Sequence, residues 1–139
     1  MKALTIYGIY ADCTAAGVKT VEWRSWKTNY RGELLICANA LNPPEWRDLF
    51  ITRHAICTVQ LADCVTFTKE HHVGYYYDNP PNDGYAWLLE NVQFIKPVQI
   101  KGKQRIFNVD IMPEYLGITY NEARQYWFDE GLVSAVDWY

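Results

Sequence analysis

Hydrophobic and polar positions change their period several times along the chain, and each change marks an element. Residues 4–7 form a short apolar stretch that predicts a strand. Ile9, Cys13 and Ala16 then fall at i, i+4 and i+7, and Gly17 follows where a helix end favours glycine, so a short helix stops there. From Val21 the period is two. Val21 and Trp23 face one way and Glu22 and Arg24 the other, as in a half-buried strand. Residues 34–38 are uninterruptedly apolar, which predicts a central strand covered on both faces.

Asn42-Pro43-Pro44-Glu45 reads as a helix start that turns Trp46, Leu49 and Phe50 inward, with Asn42 as cap and Pro43 where a missing N–H costs nothing. Residues 55–67 alternate again, with Cys57, Val59 and Leu61 on one face. Residues 69–84, which include His71-His72 and Asn79-Pro80-Pro81, predict a surface loop. Residues 85–100 read as two short strands broken at Pro97, residues 101–103 as a turn, and residues 105–111 as the last strand. Thr119-Tyr120-Asn121-Glu122 is a capping box that opens a helix running through Ala123 and Trp127 to Gly131. The sum is an α+β fold: a small mixed β-barrel of five or six strands with short flanking helices and a C-terminal helix. Residues 1–111 would form the barrel domain, and residues 112–139 a helical extension packed on it.

Composition narrows the function. Half of the 139 residues are apolar and 16% are aromatic, which excludes disorder and leaves aromatic side chains for a binding surface. Thirteen Lys and Arg against sixteen acidic residues give a net charge of −3, so nucleic acid can be met only by a local basic patch. No apolar run is long enough to span a membrane. Thr5 and Gly8 interrupt the N-terminal apolar stretch, so a cytoplasmic protein without a leader is expected. Cys13, Cys37, Cys57 and Cys64 include no C-x-x-C pair and no histidine at zinc spacing, and are read as buried free thiols. No metal or cofactor is expected. His71 and His72 are read as loop residues, and Asp63 either as a barrel-mouth residue or as a strand end meeting water.

The densest chemistry lies between residues 17 and 32. Glu22 and Arg24 share a strand face, and an acceptor beside a forked donor can read a planar group such as a nucleobase edge. Trp23, Trp26 and Tyr30 offer stacking surfaces, and Lys19, Lys27 and Arg31 can neutralise phosphate. A second basic cluster, Lys96, Lys101, Lys103 and Arg105, surrounds a glycine turn. The same residues also fit an ordinary strand with a surface Glu–Arg pair over buried tryptophans. If the pair instead reads a base, Arg24→Ala or Glu22→Ala should abolish binding and change stability by no more than about 1 kcal/mol, because changes at exposed sites are usually mild.

The string Gly17-x-Lys19-x-x-Glu22-x-Arg24, continuing through Ser25-Trp26, Tyr30-Arg31-Gly32 and Leu34-Leu35-Ile36-Cys37-Ala38, resembles the signature of the ASCH (activating signal cointegrator homology) domain. Val59-Gln60-Leu61-Ala62-Asp63-Cys64, Trp87-Leu88-Leu89-Glu90-Asn91-Val92 and the stretch from Lys96 to Val109 follow in that family's order. The resemblance implies a PUA-like barrel whose cleft is lined by Lys19, Glu22 and Arg24, with Ser25, Tyr30 and Arg31 at its mouth; from the residue reading, Trp26 is expected to add a stacking surface and Lys101 and Lys103 a phosphate-binding rim. It further implies binding of single-stranded RNA or a modified nucleotide. Some small relatives are amidohydrolases acting on N4-acetylcytidine through a Lys, a Thr nucleophile and a Glu. Here Lys19 matches, but Glu22 stands where that Thr is expected. A hydrolase or ribonuclease using Lys19 and Glu22 therefore stays as an alternative, as does a protein-interaction module or a homodimer formed through the C-terminal helix. Tyr7-Gly8-Ile9-Tyr10 replaces the Gln-Pro-Trp found in many relatives before the first helix.

Overall fold

Strand pairing organises the molecule, and in the computed structural model, which describes residues 1–40, 48–75 and 79–137, it produces one six-stranded sheet. The chain runs β1 (Lys2–Ile6), α1 (Gly8–Ala15), β2 (Val21–Arg24), β3 (Gly32–Ala38) and β4 (His54–Thr66). A 3-10 turn at Lys69–His71 leads into the four-residue α2 (His72–Tyr75), followed by β5 (Tyr85–Gln99), β6 (Phe107–Asn108) and α3 (Tyr120–Asp129). The strand order is β2-β5-β4-β3-β1-β6, with β1 parallel to β3 and the other pairs antiparallel. The helix expected to start at Asn42 lies outside the described residues, except for its predicted inward residues Leu49 and Phe50.

The α+β class stands, but the barrel does not close. β2 and β6 are the outermost strands and do not pair with each other. β6 is only two residues long and covers Lys2 and Ala3, so β1 has no strand along its outer side from Leu4 onward. A side chain spans the gap instead. Arg24 Nη2 on β2 donates to the carbonyl oxygen of Thr5 on β1 at 3.1 Å. Hydrophobic periodicity reports which face of a strand is buried, not whether two edges meet, so it could not distinguish this seam from a closed barrel.

The long strands differ from the expectation for the same kind of reason. Residues 85–99 form one strand, not two. Between the Cys57–Phe94 and Ala55–Val98 pairs, β5 spends Ile95, Lys96 and Pro97 opposite Ile56 alone. Pro97 thus sits inside a bulge, where its missing N–H breaks no ladder bond. Two further register shifts between β4 and β5, at Thr58/Gln60 and Leu61/Asp63, are of the kind that bend and twist a strand pair.

Leu4, Leu34, Ile36, Leu61 and Trp87 form the main core, and Trp127 of α3 is buried in it. Beneath α1, the buried Asp12 carboxylate accepts from Arg124 at 3.3 Å and from the Tyr120 hydroxyl at 2.6 Å. Arg124 also donates to the carbonyls of Leu49, Ala135 and Val136. Thr119 and Glu122 form the expected capping box. No helix of the described residues is long and apolar enough to cross a membrane.

Candidate functional site

The seam between β1 and β2 opens into a cleft of about 1010 Å³. Its floor is made by a local fold of the signature segment. Helix α1 ends at Ala15 with Ala16 as its cap, and Gly17 reverses the chain with φ +79°. The N–H groups of Val18 and Lys19 both donate to the Cys13 carbonyl at 3.1 Å. This tight helix end folds Lys19 back beneath β2.

Lys19 is 1% exposed. Its ammonium donates to the Val21 carbonyl at 2.6 Å and to Glu22 Oε1 at 2.7 Å. Arg24 Nη2 donates to Glu22 Oε2 at 2.8 Å. One carboxylate is therefore shared by two cations, one below it and one beside it at the cleft. Each Glu22 oxygen keeps a lone pair beyond these bonds. Among the described residues Arg24 Nη1 makes no hydrogen bond, and Arg24 Nε is buried without a partner. The cleft lining therefore carries a donor without a partner among the described residues beside a largely buried carboxylate with lone pairs to spare.

Of the residues singled out in the sequence, Glu22, Arg24, Ser25, Trp26, Lys101 and Lys103 line the cleft. Lys19 does not line it but supports Glu22 from below. Tyr30 and Arg31, expected at its mouth, are not among the lining residues. The Tyr30 hydroxyl donates to the Glu33 carbonyl at 2.5 Å. Arg31 donates to the carbonyls of Thr28 and Tyr30 and pairs with Asp63 at 3.1 Å, tying the β2–β3 connection to β4. Asp63 is thereby an exposed strand residue at a bulge, not part of the cleft wall.

Trp26 packs edge-on against the buried Trp87, with ring centroids 4.7 Å apart. The Arg105 guanidinium lies 4.8 Å over the Trp26 ring. The loop carrying Arg105 is held against β1: the Lys103 N–H donates to Thr5 Oγ1 at 3.3 Å, and Gly102 lies so close that a Cβ would come within 2.7 Å of the Thr5 side chain.

Sequence reasoning missed Arg53, Asn39, Tyr75 and Gln99, which also line the cleft. They come from the start of β4 and from the ends of β3, α2 and β5, which no local pattern links to the signature. Tyr7 and Tyr10 stand on the wall next to α1 with centroids 6.2 Å apart, and Tyr7 is 52% exposed. Their signal was present in the replaced Gln-Pro-Trp segment. Burial raises the Tyr10 and Tyr75 phenols, with nearby Cys13 adding to the first and Glu22 to the second, so both are hydroxyl donors at neutral pH.

The other candidates are accounted for by structure. His71 Nδ1 accepts from the Thr68 N–H at 2.9 Å, capping the turn before α2. Among the described residues no three His, Cys, Asp or Glu side chains cluster as a metal site. All four cysteines are buried free thiols. Burial pushes Cys13 and Cys37 up to about 12, which leaves them protonated and poor nucleophiles.

Comparison with known proteins agrees with this fold. The ASCH domain family model matches residues 4–100. Among solved structures, the ASCH protein of Zymomonas mobilis is similar at 16% identity, covering 78% of this chain and 86% of that one, with a TM-score of 0.53. A serine-to-alanine variant of that protein matches at 15% identity, 78% and 87% coverage and a TM-score of 0.61. Its tyrosine-to-phenylalanine variant gives 16%, 78% and 88%, and 0.58. No curated protein matches this chain.

Proposed function

The chain belongs to the ASCH-domain family, and from that premise we propose that it binds a nucleobase, in single-stranded RNA or as a modified nucleotide, over Glu22 and Arg24. The observation that carries this reading is the donor–acceptor pair on the cleft floor. Arg24 Nη1 and the Glu22 oxygens are open to a ligand, while Lys19, Arg24 and Thr5 fix their positions. A base edge that presents an acceptor beside a donor is complementary to that pair. Trp26 and Tyr7 supply aromatic faces at the same cleft. The volume is at the upper end of what small-molecule sites enclose, roughly 300–1,000 Å³, which accommodates a nucleotide with room for its sugar and flanking groups.

Hydrolysis by Lys19 and Glu22 draws less support from this arrangement. The Lys19 ammonium is buried and hydrogen-bonded to Val21 and Glu22, so it orients the carboxylate and does not reach a substrate. Calorimetric titration with ribonucleosides, N4-acetylcytidine included, tests the binding reading. Arg24→Gln removes the charged donor while retaining bulk, and should weaken binding by about tenfold or more with its thermal unfolding still cooperative. Equal affinity in the folded variant would contradict the assignment. Turnover of N4-acetylcytidine in the same cell would move the reading to the hydrolase.

A further inference from the structure

Glu22 is the only carboxylate among the described residues lining the cleft, and Lys19 and Arg24 already neutralise it. The remaining lining cations, Arg53, Lys101 and Lys103, have no counterion among the described residues lining the cleft, although the whole chain carries a net charge of −3. They are neighbours through the backbone. The Arg53 N–H donates to Ala38 and Asn39, and the Arg53 carbonyl accepts from the Ile100 N–H at 2.9 Å, immediately before Lys101. These bonds hold Arg53 at φ +60°, a left-handed conformation that a glycine would adopt without strain. An arginine kept at such a position, exposed in a cleft and with no side-chain hydrogen bond or ion pair among the described residues, is placed to meet an anion.

We propose that Arg53, Lys101 and Lys103 form a phosphate subsite, so that the cleft takes a phosphorylated nucleotide or a nucleotide within a phosphodiester chain in preference to a free nucleoside. This inference rests on the base-binding reading of the same cleft. Arg53 supplies a planar fork of donors suited to two phosphate oxygens, and the lysines supply mobile point charges on the adjoining loop. The base is fixed over Glu22 and Arg24 while the phosphate faces the rim where the ends of β3 and β5 and the start of β4 meet.

The test compares each ribonucleoside with its 5′-monophosphate, with a dinucleotide containing it, and with inorganic phosphate, by calorimetry at low salt. The monophosphate or the dinucleotide should bind at least about tenfold more tightly than the nucleoside. A gain with the monophosphate alone identifies a terminal phosphate as the group held; a gain with the dinucleotide identifies a chain phosphodiester. Arg53→Asn, which tolerates the left-handed backbone, should bring the ratio close to one and leave nucleoside affinity unchanged. The pair Lys101→Gln and Lys103→Gln, on exposed positions, should reduce the same ratio. If nucleosides bind and phosphate adds nothing, or if the ratio survives in these variants, the subsite is wrong and the base reading stands. If no nucleoside or nucleotide binds, both fall.

Discussion

Glu22 shows how burial changes the meaning of a charged pair. Sequence alternation places Glu22 and Arg24 on one face but cannot reveal that Lys19 lies beneath them, because a helix end, not the strand, delivers it. The expectation of a mild effect on stability therefore fails for Glu22. Glu22→Ala would leave a buried ammonium without its carboxylate, at a cost of about 3–5 kcal/mol measured by urea unfolding. Glu22→Gln keeps an acceptor and should cost less. The family resemblance places Tyr30 and Arg31 at the cleft mouth, whereas their hydrogen bonds serve the β2–β3 connection.

The cysteines make a second prediction at this scale. Burial raises Cys13 and Cys37 to about 12 against an ordinary value of 9.0. Between these values the folded chain binds more protons than the unfolded one. Their contribution to stability is thus complete below about pH 9 and is lost as pH rises toward 12. Denaturation midpoints should fall steadily across that window. At pH 8 the thiols should resist a disulfide reagent until the chain is unfolded.

At the scale of elements, capping signals were more legible than strand lengths. Thr119 and Glu122 marked the start of α3, and Gly17 and Gly131 marked helix ends, because these motifs satisfy backbone groups within a few residues. Pro97 misled for a complementary reason: whether its missing N–H matters depends on the partner strand. Thr119→Ala should cost about 1 kcal/mol through the lost cap. Arg124→Ala should cost more, about 3–5 kcal/mol, because it takes the cation paired with the buried Asp12 and frees the Leu49, Ala135 and Val136 carbonyls, the last two of which hold the chain after α3 in place. Chemical denaturation of both variants checks the order. Gly84→Ala should also destabilise the fold, since φ is +82° and a Cβ would meet the Trp23 ring at 2.4 Å.

For the molecule as a whole, the sheet order explains why half of the cleft was legible and half was not. The signature supplied Glu22, Arg24, Ser25 and Trp26 from one continuous segment. Arg53, Asn39 and Gln99 arrive only because β3, β4 and β5 end together beside the open seam. With a net charge of −3 for the whole chain, the proposed attraction for nucleic acid rests on the local cations of that cleft. With two to four phosphates neutralised, the logarithm of affinity for single-stranded RNA should fall with the logarithm of salt at a slope of roughly −1.5 to −3.

A backbone-amide NMR titration with a short mixed-sequence single-stranded RNA at two salt concentrations tests the central claim most directly. The account predicts shifts concentrated at Glu22, Arg24, Ser25 and Trp26 on one side of the cleft and at Arg53, Lys101 and Lys103 on the other, weakening modestly at the higher salt. Shifts on the outer face of α3, or none at either salt, would contradict it.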